Sequence, residues 1–151
     1  MSTLPLRAVL AFLALPGIVG FVGPWLIAGR PVSFAAVDPL ALVPFSAGLA
    51  VLLWCVAAFY RQGRGTLAPW DPPRHLVRAG LYRWSRNPMY VGVTLIIWGW
   101  AVALHSQAVW IYAAIVMVAF HLRVVLYEEP WLARTFGEDW LRYKGEVRRW
   151  F

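Results

Sequence analysis

The chain has 151 residues, a length that suits a single domain. Hydrophobic residues make up 61% and charged residues 14%, against about 45–50% and 25% in soluble domains, which excludes an ordinary water-soluble protein. The net charge of +7 raises the possibility of a nucleic-acid partner, but no nucleic-acid motif is present and the charge is confined in a way that points elsewhere.

Asp, Glu, Lys and Arg are absent from 8–29, 39–60 and 87–122. The first two stretches are 22 residues each, about what a bilayer core requires. The third, as one helix, would be roughly 54 Å long, far beyond a core of about 30 Å. It therefore folds back at the polar His105-Ser106-Gln107. The fold class expected is an all-α integral membrane protein of four spans, the third and fourth forming a hairpin, followed by short interfacial helices. Residues 1–151 form one membrane domain, with two spans in 1–60 and the loop, hairpin and C-terminal segment in 61–151.

Span one, about Leu6–Ala28, is too long for the apolar part of a signal peptide and has no small-x-small cleavage site after it, so a retained helix is expected. Its Gly20 and Gly23 are helix-packing positions. Arg30-Pro31 opens a short connection that ends near Asp38-Pro39. Span two, about Leu40–Tyr60, carries Trp54 and Tyr60 near one end, as an interfacial belt requires. Its lone Cys55 reads as a buried, apolar-like thiol. Arg61, Arg64, Arg74, Arg78, Arg83 and Arg86 all fall in the loop between spans two and three, whereas the loop after span one holds only Arg30 and Asp38. Lys and Arg accumulate on the cytoplasmic side. Both termini and the 61–87 loop are therefore expected there.

Gly and Pro exclude a long helix from 61–79, yet Leu67, Trp70, Leu76 and Val77 are apolar enough to pack on something. An ordered loop of that length is usually functional. It leads into Gly80-Leu81-Tyr82-Arg83-Trp84-Ser85-Arg86-Asn87-Pro88-Met89-Tyr90-Val91-Gly92. Asn87 suits an N-cap and Pro88 the first helical position. Free N–H groups and the positive dipole end favour an anion, Arg83 and Arg86 add charge, and Gly92 leaves room for close approach. The same residues also suit a corner that merely holds topology.

Spans three and four are Pro88–Leu104 and Gln107–Tyr127. Near the end of the fourth stand His121, Arg123, Glu128 and Glu129. On a regular helix His121 and Glu128 fall within about 20° of each other and Arg123 faces nearly the opposite way, so Arg123 joins them only if the helix bends or a neighbour closes round. The two carboxylates either form a site or pair with loop arginines such as Arg83 or Arg86. Pro130 fits the start of a new helix and Gly137 its end. Mixed aromatic and charged residues follow, suiting helices on the membrane face, and Arg148-Arg149-Trp150-Phe151 reads as a basic-aromatic anchor. No His, Cys and Asp set has metal spacing, and no phosphate loop or nucleophile elbow is present.

Leu76-Val77-x2-Gly80-Leu81-Tyr82-x3-Arg86-Asn87-Pro88-Met89-Tyr90-Val91-Gly92, followed by Glu128-Glu129-x2-Leu132-x3-Phe136-Gly137-x5-Tyr143 and Val147-x-Arg149, resembles the isoprenylcysteine carboxyl methyltransferase family. The related phospholipid methyltransferases share this C-terminal signature. The resemblance implies a membrane enzyme that transfers methyl from S-adenosylmethionine to a lipophilic or small apolar acceptor, in contact with membrane lipid. It nominates Leu76, Val77, Tyr82, Arg86, Asn87, Pro88, Met89, Tyr90, Glu128 and Glu129 for the cofactor, and Arg123 with Glu128 for catalysis. The helix start and Arg86 would take the cofactor carboxylate, and Glu128 a ribose hydroxyl or the cofactor amine. Tyr82, Trp84 and Tyr90 would offer aromatic faces to the sulfonium. Asn87 stands where the prenylcysteine enzymes usually carry histidine, which removes a general base. Two other readings remain: a nicotinamide-dependent reductase of the sterol-reductase kind, and a non-catalytic membrane protein that binds lipid or a partner.

Overall fold

A computed structural model describes residues 13–29, 38–63 and 74–151. The start of span one, the connection at 30–37, and Leu67 and Trp70 lie outside the described residues. Every regular element among the described residues is helical.

Helix α1 combines a widely wound segment, Leu13–Val22, with the regular turns Gly23–Ala28. Pro16 lies inside the wide segment. A proline has no N–H for the helical ladder and crowds the preceding turn, and a local i→i+5 winding accommodates both defects. Gly29 ends α1 at φ 59°, a left-handed conformation that suits glycine.

Asp38 accepts a hydrogen bond from the Leu40 N–H at 2.9 Å and starts the turn Pro39–Ala41. That turn runs into α2, Leu42–Ala58, which continues through the wide turn Phe59–Gly63. Helix α3 is Pro88–Ala103 and α4 is Gln107–Arg123. Between them His105 takes φ 45°, and the Ser106 hydroxyl accepts from the Val109 N–H at 3.4 Å. The expected hairpin is therefore observed at the expected residues.

Glycines set how closely α2 and α3 pack. A Cβ on Gly48 would stand 2.6 Å from the Gly92 carbonyl oxygen, and one on Gly92 would stand 3.0 Å from that of Gly48. Gly99 approaches Phe45 equally closely. Gly92 thus admits a neighbouring helix rather than a ligand, which corrects the reading of its open space. Leu52, Val93, Ile96, Ile97, Ala101, Val109, Ala113 and Val116 form the core between α2, α3 and α4. Tyr112 donates to the Val19 carbonyl at 2.9 Å and fastens α1 to this core. Gly20 and Gly23 face Val93 and Tyr112 respectively, as packing positions.

Among the described residues, two helices are long and apolar enough to cross a membrane, Pro39–Gln62 and Gln107–Phe136. Pro16–Ala28 and Pro88–Ala103 are apolar but shorter. Ile111, Ile115, Val118, Leu122 and Leu126 recur at helical spacing and are all exposed. An apolar stripe of that length is stable against lipid tails and unfavourable against water. The chain is a membrane protein.

Pro130 does lie in the first turn of a helix that Gly137 ends, but that helix does not start afresh. Instead α4 continues without interruption through a wide turn, Val124–Glu128, into α5, Glu129–Phe136. The Glu129 N–H reaches back five residues to the Val124 carbonyl. Pro130 explains why: its ring crowds the carbonyl four residues back and it offers no N–H, and the wide turn just before it relieves that conflict. Gly137, at φ 50°, ends α5, and α6 follows over Glu138–Glu146.

Candidate active site

The loop before α3 is anchored by its apolar residues. Val77 and Tyr82 are buried with Cys55 and Ala58, and the Tyr82 ring meets Phe59 edge-on at 5.6 Å. Gly80 adopts φ 65° where a Cβ would stand 2.7 Å from the Trp54 indole nitrogen, so the turn Gly80–Arg83 depends on glycine there. The Tyr143 hydroxyl donates to the Tyr82 carbonyl at 2.7 Å and ties α6 to this loop. Burial pushes both phenols above their ordinary range, so both stay neutral at physiological pH.

At the start of α3, Asn87 occupies the N-cap position but its side chain makes no capping bond. Its amide donates instead to the Arg149 carbonyl at 3.0 Å. Ser85, fully buried, donates to the same carbonyl at 3.3 Å and accepts from the Asn87 N–H at 3.1 Å. The expected side-chain cap is therefore replaced by a tie to the C-terminus. The N–H groups of the first turn of α3 receive no bond from the Asn87 side chain, so the positive dipole end is not capped by it.

The two adjacent glutamates diverge. Glu129 is buried and receives Arg86 at 3.0 Å on one oxygen. Arg149 binds both of its oxygens, Nε at 2.7 Å and the terminal nitrogen at 3.0 Å, and Lys144 lies 3.9 Å away. A two-pronged guanidinium–carboxylate pair is the strong form of this interaction. That hydrogen bond raises Arg149 above its usual value, whereas burial lowers Arg86 despite the pull of Glu129. Arg86 also packs over the Trp140 ring at 5.4 Å.

Glu128 instead accepts from the Tyr90 hydroxyl and from Arg123 Nε, the latter at 2.9 Å. Arg123 Nε lies 3.2 Å from the same hydroxyl, which closes a three-membered group. Tyr90 stacks on Phe120 with ring centres 4.4 Å apart. These side chains form the polar end of a cavity of about 110 Å³, whose apolar wall is Pro16, Val19, Met89, Val93 and Phe120.

The regular-helix angle misplaced Arg123 and His121. In an i→i+5 turn, residues five apart come to lie roughly above one another, and Arg123 and Glu128 are separated by that interval. The wide turn therefore brings Arg123 to Glu128 and carries Glu128 away from His121. His121 accepts instead from the Trp150 indole N–H at 3.3 Å, its ring stacked on the indole.

The nominated residues thus fall into three groups. Met89, Tyr90, Arg123 and Glu128 line the cavity. Arg86, Asn87 and Glu129 engage the C-terminus or one another. Val77 and Tyr82 pack against Cys55, with Leu76 half-buried beside them and Pro88 buried at the helix start. Trp84 is exposed and joins none of these groups. Sequence reasoning did not find Phe120, Ser85 or the α1 wall of the cavity. It noted Arg149 within a motif but took it for an anchor. Its spacing from Val147 was the available signal, and only the fold shows what it binds.

Tyr90, Glu128 and Arg123 thus close the polar end of an apolar-walled cavity in a helical membrane protein. The chain belongs to the phospholipid methyltransferase family, whose model matches residues 47–139. That range includes both the Arg86–Tyr90 corner and the paired glutamates, and it ends before Arg149. An uncharacterized protein of Haemophilus influenzae is 32% identical over 62 residues, which is 41% of this chain and 98% of that protein. No solved structure matches the chain.

Proposed function

We propose that this protein transfers a methyl group from S-adenosylmethionine to a lipophilic acceptor at the cytoplasmic membrane face. The observation that carries the reading is the Tyr90–Glu128–Arg123 group at the polar end of an apolar cavity, in a chain of a methyltransferase family. In this reading the two shorter apolar helices also cross the membrane, giving four spans with both termini inside. The arginine-rich segment around 74–87 supports that orientation.

The residues present suit the proposed cofactor. The α3 N-terminus, free of a side-chain cap, favours a carboxylate, and Arg86 stands beside it. The Tyr90–Phe120 pair offers aromatic faces to a cation. A cavity of about 110 Å³ is well below the ~300 Å³ of an ordinary small-molecule site. It therefore suits the sulfonium end and the reacting atom of the acceptor, with the rest of the cofactor lying along the helix start outside it. S-adenosylmethionine, when bound, supplies the methyl as an electrophile attached to sulfur.

In-line displacement at such a carbon is accelerated chiefly by orientation and exclusion of water. Met89, Val93 and Phe120 exclude water from the reacting end. Arg123 Nε and the Tyr90 hydroxyl both donate to Oε1 of Glu128 and hold the carboxylate in one orientation, leaving Oε2 toward the cavity. Glu128 then has a free lone pair to accept from a ribose hydroxyl, a cofactor amine or an acceptor N–H. A carboxylate or thiolate acceptor requires no base, and Asn87 offers none.

Isothermal titration of the protein in nanodiscs with S-adenosylhomocysteine tests the reading. Saturable binding weakened about tenfold in Glu128→Gln, the loss expected for one charged hydrogen bond, supports it. Binding of NADPH in place of S-adenosylhomocysteine would move the assignment to a reductase.

A further inference from the structure

The last five residues are not a free anchor. Val147 leaves α6 in an extended conformation, and the segment after it is tied to three separate parts of the chain. The Arg86 N–H donates to the Arg148 carbonyl at 2.9 Å. The Arg149 carbonyl receives Ser85 and Asn87, and its side chain grips Glu129 at both oxygens. Trp150 donates to His121 on α4. One short segment therefore bridges the start of α3, the start of α5 and the end of α4.

Those three points enclose the Tyr90–Glu128–Arg123 group. Tyr90 sits in the first turn of α3, directly after the tethered Ser85–Asn87. Glu128 ends the wide turn, directly before the tethered Glu129. A wide turn is a local departure from the regular ladder, and its register determines whether Glu128 meets Arg123. Side chains held on both sides of the turn, Glu129 by Arg149 and His121 by Trp150, fix that register.

We propose that residues 147–150 form a strap that sets the geometry of the cavity's polar end, with Arg149, Glu129 and Asn87 as positioning residues rather than ligand contacts. The inference rests on the methyltransferase reading. It divides the adjacent glutamates between two tasks: Glu128 faces ligand, and Glu129 holds the frame. It also gives Asn87 a task that needs an amide donor, where an imidazole would have to donate to the same carbonyl from a different shape.

The test uses the full chain in nanodiscs with Arg149→Met, Arg149→Lys, Glu129→Gln and the Glu129→Gln/Arg149→Met double variant. Backbone hydrogen exchange at Arg86 and S-adenosylhomocysteine affinity are read on each variant that retains wild-type helical content. Expected are faster exchange at Arg86 and a loss of affinity of roughly ten- to hundredfold in Arg149→Met, the scale of a misplacement of about 1 Å. Arg149→Lys restores part of it, and the double variant loses less than the sum of the two single variants, because Arg149 and Glu129 are coupled. Unchanged exchange at Arg86 overturns the strap. Faster exchange with unchanged affinity overturns its positioning role. Fully additive losses in the double variant show Glu129 and Arg149 acting independently and overturn the pairing as the positioning device. A wild-type chain that binds no S-adenosylhomocysteine defeats the methyltransferase reading itself, and the positioning role falls with it.

Discussion

Glu128 and Glu129 are neighbours in sequence, yet their surroundings have little in common. The Glu129 side chain is 9% exposed and receives two arginines, with a lysine nearby. The Glu128 side chain is 27% exposed and receives one arginine and a phenol at the edge of a cavity. A helix turns about 100° per residue, so adjacent side chains address different parts of the fold. Here one carboxylate is saturated by its partners and the other retains capacity for a ligand. In the proposed reading the paired glutamates divide into one architectural and one chemical residue.

The strongest way to break this comparison is to remove the saturated carboxylate. Glu129→Ala leaves Arg86 and Arg149 without their counter-charge in a largely buried setting, and a loss of about 3–5 kcal/mol is expected. It is measured as a large drop in the thermal unfolding midpoint in detergent. Glu128→Gln, by contrast, is expected to change stability by less than about 1 kcal/mol, because the site is half-open and the amide still accepts from Arg123. Its effect falls on ligand binding, in the titration described above. Equal destabilisation by the two variants would erase the distinction.

Tyr90→Phe sharpens the contrast on the Glu128 side. It deletes the hydroxyl shared by Glu128 and Arg123 while keeping the ring on Phe120, and about 0.5–1.5 kcal/mol of binding energy is expected to go with it. Affinity for S-adenosylhomocysteine measures this directly. The smallest effect is a pH dependence on the Glu129 side, where Tyr82 and Tyr143 are held neutral by burial. Their folded values are raised, so their stabilisation is complete below the unfolded value of about 10 and is lost as pH rises past it. The unfolding midpoint should therefore fall progressively as pH rises above about 10, and fall less in Tyr82→Phe.

The helical class and the hairpin at His105–Gln107 were legible in the sequence, as was the nearness of Tyr90 to Glu128 and of Arg86 to Glu129 through their shared motif. Each rests on something local: the length of an apolar run, a capping residue, the chemistry of a short motif. Three features were not legible. Gly92 opens toward α2, because which face of α3 receives a helix depends on Gly48 in another element. Asn87 binds a carbonyl from the far end of the chain, 62 residues away. Arg123 reaches Glu128 only because the helix is wound wide before Pro130.

The sequence by itself determined which segments would be helical and which charged residues would stand near the membrane boundary, since backbone hydrogen bonding and transfer from water act residue by residue. Only the tertiary structure decided which glutamate is buried among arginines and which lines the cavity. That division depends on helix register to within one residue, and the register is held by side chains, Arg149 and Trp150 among them, that the local pattern does not connect to it.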